Sequence, residues 1–349
     1  MSRRGLTAVL AALVVTLVLA GCGDASEPSD TAANRFLSRY ATGDGRVLRR
    51  DQGGDIVSEG QAYGMLIAEL AGRPGTVRTI WNWTRTHLQR SDHLLSWHAD
   101  GSGKVLDVQA ATDADTLAAY ALLRYRGPDG PRLHQQGRAI AKAVLAEETV
   151  TTPSGGIVPV AGPWATTQSP ATVDPSYWMP GVYLALARLT GDRRWSSAAA
   201  TTVGLVNQGT GYGSVLPSDW GQLSGSSMQA TGTADGPTQY GPDAQRVPLW
   251  FAYGCDTAAR KLAAAWWGKL RYQPDATVLG TDDSVIDGDP SPLAMLASAA
   301  SAQAAGDRSR AASLRRQAAR QARRVPTYYG DAWVALSAGL ADGRLVSCH

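Results

Sequence analysis

The sequence predicts an all-α fold, a closed barrel of inner and outer helices, and three observations carry that prediction. From Asp30 onward Ala, Leu and Arg recur at three- and four-residue spacing, and Gly, Pro, Asp and Ser mark the loops between. Signals for β-strands are sparse. The periodic stretches number about twelve and pair into six hairpins with neither a sequence repeat nor an interior linker, a set that suits a closed ring better than an open solenoid. With 349 residues and 44% hydrophobic content the chain can bury a large core.

In order, the predicted helices cover 30–41, 60–72, 76–89, 113–126, 131–149, 177–189, 192–208, 243–253, 256–270, 290–304, 306–323 and 328–341. The second grows out of DQGGDIVSEGQAYGMLIAEL, residues 51–70. There Ser58 is placed to cap the helix and Glu59 falls in its first turn, where free N–H groups favour negative charge. Gly53, Gly54 and Gly60 let other groups approach, and Met65, Leu66, Ile67, Ala68 and Leu70 form its apolar body. The fourth opens at AATDAD, where Thr112 or Asp113 serves as cap, and the eighth opens at GPDAQR with Asp243. The eleventh carries the Arg-rich stretch 315–324, read as a solvated face. With a net charge of only +3, neither nucleic-acid nor polybasic membrane binding is inferred.

Ahead of the barrel, Arg3 and Arg4 precede an apolar run from Leu6 to Ala20 that is short for a membrane span and reads as an export signal. It ends in Leu19-Ala20-Gly21-Cys22, which resembles a bacterial lipobox. The expected organisation is a signal peptide at 1–21, a polar tether at 22–32 beginning with a lipid-bearing Cys22, and a single domain at 33–349. The protein is accordingly expected outside the cell membrane, lipid-anchored, or secreted if the lipobox is not used. Cys255 and Cys348 then remain, either bridged or separate buried thiols. The five histidines form no HxxxH or HxH pair, so no metal is expected, and no cofactor.

The loops 42–59, 90–112, 150–176 and 209–242 exceed the length usual in a compact domain, which marks them as functional. Trp97, Trp164, Tyr212, Trp220 and Tyr240 lie within them, with Tyr177 and Trp178 just beyond one. Aromatic faces among Asp, Asn and Gln suit sugar rings, which stack on the faces while hydroxyls find polar partners. Acidic residues stand at three helix starts: Glu59, the pair Asp113 and Asp115, and Asp243. If alternate helices line a barrel, these starts meet on one rim. Carboxyl groups gathered there meet the needs of glycosidic hydrolysis, one protonated toward the leaving oxygen and one ionised toward water. Asp113 and Asp115, two apart on a helix, cannot both face the cleft, so one is expected to brace the loop.

Ser58-Glu59-Gly60-Gln61-Ala62-Tyr63-Gly64, Ser96-Trp97-His98, Ala111-Thr112-Asp113-Ala114-Asp115, Asp174-Pro175-Ser176-Tyr177, Leu216-Pro217-Ser218-Asp219-Trp220 and Asp243-Ala244-Gln245-Arg246 together resemble the ordered signature of glycoside hydrolase family 8. The resemblance covers about 36–340. It implies an (α/α)6 barrel whose long loops form a substrate cleft, and endo-acting hydrolysis with inversion. It implies Glu59 as general acid, Asp243 as general base and Asp113 as the group positioning the sugar at the cleavage site. Asp115, Trp97, Tyr177, Arg246 and Tyr240 are the further candidates for substrate binding. Asp174 stands where the family usually has Asn. The expected partner is a cellulose-like β-1,4-glucan, with chitosan, xylan or mixed-linkage glucan, or a non-catalytic glycan-binding lipoprotein, as rival readings; a monomer is expected.

Overall fold

A computed structural model describes residues 27–232 and 236–348 of the chain. The expected signal at 1–21 and the lipid site Cys22 lie outside the described residues.

Twelve α-helices are described: α1 (Ser29–Tyr40), α2 (Ser58–Leu70), α3 (Pro74–His87), α4 (Thr112–Arg124), α5 (Gly130–Glu147), α6 (Pro180–Thr190), α7 (Arg194–Gly209), α8 (Arg246–Ala252), α9 (Thr257–Leu270), α10 (Pro292–Ala304), α11 (Arg308–Arg324) and α12 (Tyr328–Ala341). The even-numbered helices form the inner ring. Each packs on the next, α2 on α4, α4 on α6, α6 on α8, α8 on α10, α10 on α12, and α12 closes the circle on α2. The composition explains the sorting. In α10 the run PLAMLASAASAQA is apolar or small on every side and is buried from Leu293 to Ala302. A helix without a polar face has to be enclosed. In α11 only Ala311, Leu314, Ala318, Ala319 and Ala322 are buried, a single stripe, so its arginines face outward on the outer ring. Small residues set the spacing: a Cβ on Gly339 of α12 would lie 2.6 Å from Leu70 Cδ1 of α2.

The two ends of the barrel differ. At the base, connections from an inner helix to the next outer one take only three to five residues. At the rim, the chain runs from an outer helix to the next inner one through long loops, except for the three residues between α11 and α12, and these loops contain every strand of the described residues: β1 (Ile56–Val57), β2 (His98–Ala99), β3 (Val105–Asp107), β4 (Thr149–Thr151), β5 (Ile157–Pro159), β6 (Ala171–Val173), β7 (Trp220–Ser224), β8 (Ser227–Thr231), β9 (Gln239–Tyr240), β10 (Ala276–Gly280) and β11 (Val285–Pro290). They pair antiparallel in four small sheets, ordered β1-β2-β3, β11-β10-β9, β4-β5 and β6-β7-β8. Strands this short offer too little alternation to register in a sequence pattern. They hold the loops in fixed register, with Val57 opposite His98 and Leu279 opposite Tyr240.

Several local expectations change. Ser58 does not cap α2: Val57 occupies the N-cap position, and the buried Ser58 hydroxyl has no partner among the described residues. Its N–H instead donates to Trp97 O at 2.9 Å, because the β1–β2 pairing runs directly into the helix. Neither Thr112 nor Asp113 caps α4; Asp113 Oδ1 accepts from the adjacent Ala114 N–H at 2.7 Å. Helix α6 starts at Pro180 rather than 177, since Asp174 caps a separate 3-10 turn, Pro175–Tyr177. Gly53 and Gly54 adopt φ of 84° and 75°, so they serve backbone conformation, whereas Gly60 is the close approach: a Cβ there would lie 2.8 Å from Tyr328 Oη.

At the base, the segment after α12 crosses under the barrel. Tyr120 Oη donates to Leu345 O at 2.6 Å, Arg124 Nη2 to Arg344 O at 2.6 Å, and Arg188 Nη2 to Ser347 O at 3.0 Å. Cys348 is joined by a disulfide to Cys255, 93 residues earlier in the chain.

Candidate active site

Because α2, α4 and α8 run the same way round the inner ring, their N-terminal ends meet on the rim. Glu59, Asp113 and Asp243 therefore come together, far apart as they are in sequence. The fourth member is Asp174, from the turn that precedes α6.

One guanidinium organises all four. Arg246, the first residue of α8, is 3% exposed. Its Nη1 donates to Glu59 Oε1 at 2.7 Å and to Asp113 Oδ2 at 3.0 Å. Its Nη2 donates to Asp243 Oδ1 at 2.9 Å and to Ser176 Oγ at 2.5 Å, and lies 3.6 Å from Asp174 Oδ2. The planar fork allows this, since its two terminal nitrogens address different partners at once. Tyr63, one turn after Glu59 on α2, donates its hydroxyl to Glu59 Oε1 at 2.6 Å.

The four carboxyls differ in environment. Asp174 and Asp113 are buried, the Glu59 side chain is 21% exposed, and that of Asp243 is 38% exposed. Burial pushes Glu59 up to about 7; Arg246 opposes the rise, and the Asp113 and Asp243 charges add to it. Burial outweighs the helix-start dipole that by itself favours the ionised form. Burial likewise raises Asp113, with Arg246 opposing, and raises Asp174 well above the usual carboxylate range, helped by the Asp243 charge. The site thus offers a carboxylic acid that keeps its proton near neutrality, and beside it the most open carboxylate of the group.

The aromatic candidates separate. Trp97 is half-buried and is held beside Glu59 by the Ser58 N–H···O bond; its ring stacks on His98 with centroids 4.7 Å apart. His98 Nε2 is in turn 2.8 Å from Asp55 Oδ2. Tyr177 is half-buried, with the Arg246 guanidinium 5.6 Å from its ring centroid. Trp164 and Trp220 are half-buried, and Tyr212 is 74% exposed. Trp178 is fully buried, its Nε1 donating to Pro159 O, so it is a core residue.

Two candidates for substrate contact are placed elsewhere. Asp115 is 0% exposed and turned from the cleft, its Oδ1 accepting from Leu95 N–H at 2.9 Å. This follows from helix geometry: with Asp113 facing the rim, the residue two further on points into the wall. Tyr240 is 1% exposed, because β9 packs it inward against the β10 register, and it presents no face to a sugar.

Other groups joined the site unannounced. Asp219 accepts from Gly241 N at 2.9 Å, Ala244 N at 2.8 Å and Gln239 Nε2 at 2.9 Å, and so fixes the turn that carries Asp243. Ser176 bridges Asp174 and Arg246, and Tyr329, at the start of α12, is close enough for the Arg246, Glu59 and Asp243 charges to act on it. Glu148 is buried behind α4, where its charge acts on Asp115. The LPSDW and DPSY motifs contained Asp219 and Ser176, but Tyr329 and Glu148 lie in no motif and only the fold reveals them.

The family model of the glycosyl hydrolases family 8 matches residues 7–333. A probable endoglucanase of Novacetimonas hansenii is 32% identical over 269 residues, covering 73% of this chain and 77% of the relative. An endoglucanase of Cellulomonas uda is 28% identical over 279 residues, covering 78% and 75%. Among solved structures, endo-beta-1,4-glucanase CMCax from Acetobacter xylinum superposes with a TM-score of 0.74 at 25% identity, covering 92% of this chain and 99% of that one. A match along nearly the whole chain, to proteins sharing its barrel, places this chain in glycosyl hydrolases family 8, as a glycoside hydrolase.

Proposed function

We propose that this chain is an endo-acting, inverting hydrolase of β-1,4-glucan, displayed outside the cell membrane through a lipid on Cys22. The observation that carries the chemistry is the pairing on Arg246: Glu59, pushed up to about 7, on one nitrogen, and the more exposed Asp243 on the other. Glu59 donates its proton to the glycosidic oxygen as the bond breaks, and Asp243 takes a proton from the water that attacks the opposite face of the sugar. Asp113, beside both, holds a hydroxyl of the sugar at the cleavage point, and Trp97 and Tyr177 carry neighbouring rings. In an inverting reaction no covalent sugar–enzyme bond forms, which leaves Asp113 a positioning role. The endoglucanase relatives support β-1,4-glucan as substrate and attack within a polymer.

The test is incubation with carboxymethylcellulose, mixed-linkage glucan, chitosan and xylan, following reducing ends and product anomer together. Initial release of the α anomer from a β-linked glucan is expected. Initial β anomer overturns inversion, and preference for xylan or chitosan overturns the substrate. Binding without cleavage of any polymer points instead to a glycan-binding lipoprotein. For the anchor, radiolabelled palmitate is expected on the wild-type chain and absent from Cys22→Ser.

A further inference from the structure

The base of the barrel gathers arginines that are widely spaced in the chain. Arg73 follows α2, Arg124 ends α4 with Arg126 just beyond it, Arg188 lies in the last turn of α6, and Arg344 follows α12. They line two adjoining cavities of about 340 and 450 Å³ that share Glu69, Arg124, Tyr125, Arg126 and Arg344. The one carboxylate of the lining, Glu69, is held by Arg124 at 2.9 Å. Asp129 and Asp192, also near this end, pair with Arg78 and Arg132, and with Arg194. Arg344 directs donors at Leu70 O and Ser29 Oγ, which fixes its head without neutralising it, whereas Arg124 is shared between Glu69 and the Arg344 carbonyl. Arg73, Arg126, Arg188 and Arg344 are exposed.

The first helix also starts at the base. Arg344 Nη1 donates to Ser29 Oγ at 2.8 Å, and Ser29 is the first residue of α1. The first helix therefore begins at this same end, while Glu27 just before it lies on the flank of the barrel, paired with Arg35 and Arg323. Glu59 opens α2 at the rim and Leu70 closes it at the base, so the active site and the start of α1 are separated by the length of a 13-residue helix, about 20 Å.

We propose that the arginine-lined base of the barrel is a docking face for an anionic phospholipid surface, seating the enzyme with its catalytic rim directed away from the membrane. This rests on the reading of Cys22 as a lipid anchor. Asp30, Asp256, Asp307 and Asp342 stand at other helix ends of this face, and phosphodiester headgroups supply partners for the exposed Arg73, Arg126 and Arg188, whose guanidinium forks match phosphate oxygens. A tether alone would leave the barrel free to tumble and to turn its cleft toward the membrane. A charged seat fixes its attitude.

The test uses the full lipidated chain in vesicles of phosphatidylcholine alone or with about one third phosphatidylglycerol, read by hydrogen exchange of segments 71–74, 125–130, 188–193 and 343–347. Exchange of these segments is expected to slow about tenfold or more in the anionic vesicles only, with the rim loops unchanged, and to recover in ~0.5 M salt. The variant R73E/R126E/R188E is expected to lose that protection while hydrolysing carboxymethylcellulose at the wild-type rate. Should it fail to fold, the salt arm decides alone. Equal exchange in both vesicle types, with the chain still floating alongside them, overturns the docking face while leaving the anchor intact. If the chain is not lipidated, added anionic vesicles replace reconstitution, and protection or its absence decides in the same way. Protection by free glycerol phosphate equal to that by vesicles marks a small-anion site and also overturns the proposal.

Discussion

At the residue scale, Arg246 is the group on which most depends. Four carboxyls surround one buried cation, so removing it leaves them without a counter-charge in a poorly solvated place. Arg246→Met is expected to destabilise the fold by about 3–5 kcal/mol, read by urea unfolding, besides abolishing activity. Glu59 sets the pH response. Its proton is held to about 7, so kcat/KM, which reports the free enzyme, should fall as pH rises through that value. Glu59→Gln should lower kcat by roughly 10²–10⁴-fold with little change in KM, and should remove that alkaline limb. Asp174 gives a subtler case. Burial keeps it protonated well above the ordinary range, and a protonated carboxyl has the shape of the Asn usual at this position in the resembled family. Asp174→Asn should therefore keep activity near neutral pH, with the alkaline fall still set by Glu59. A loss of activity at all pH values in Asp174→Asn would contradict this.

At the element scale, the loops of the rim are held by buried acids. Asp115, on α4, anchors the Leu95 N–H and with it the segment that presents Trp97. Asp115→Ala is expected to cost about 1–3 kcal/mol by leaving that N–H unpaired, and to raise KM for polymer more than it lowers kcat. Asp115 and Glu148 are both raised well above their ordinary values by burial. The sign follows: a raised carboxyl binds a proton more tightly in the folded state, so its contribution is present at low pH and is lost as pH rises through the folded value. Stability should thus decline toward alkaline pH, and Glu148→Gln should flatten the decline, measured as the urea midpoint across pH. Such buried acids mark where sequence reading stopped. The twelve helices could be read because Ala and Leu repeat at helical spacing over three or more turns. Glu59, Asp113 and Asp243 could be read because helix starts of an inner ring share one rim. Tyr240 misled because nearness to Asp243 in sequence says nothing of which side a two-residue strand turns inward. Glu148 ends a helix like any surface glutamate, and only tertiary packing covers it.

At the scale of the whole molecule, the inner ring closes, with α12 against α2 and α1 against α12, so there is no terminal unit from which unfolding can spread. The described barrel should melt in one cooperative transition rather than fray by hairpins. The Cys255–Cys348 bridge spans 93 residues. Reducing it should lower stability by about 2–5 kcal/mol, seen as a shift of the thermal midpoint with dithiothreitol. The 2.8 Å bond between Arg344 and Ser29 has one more implication, for the order in which the chain is written. The two ends of the barrel's chain meet there, so a short polar linker could join them and the polypeptide could instead be opened at the exposed Gly225–Ser226 turn between β7 and β8. In that permuted chain Glu59 from α2 and Asp243 from the turn before α8 would exchange their order in sequence, yet the ring would still deliver both to one arginine.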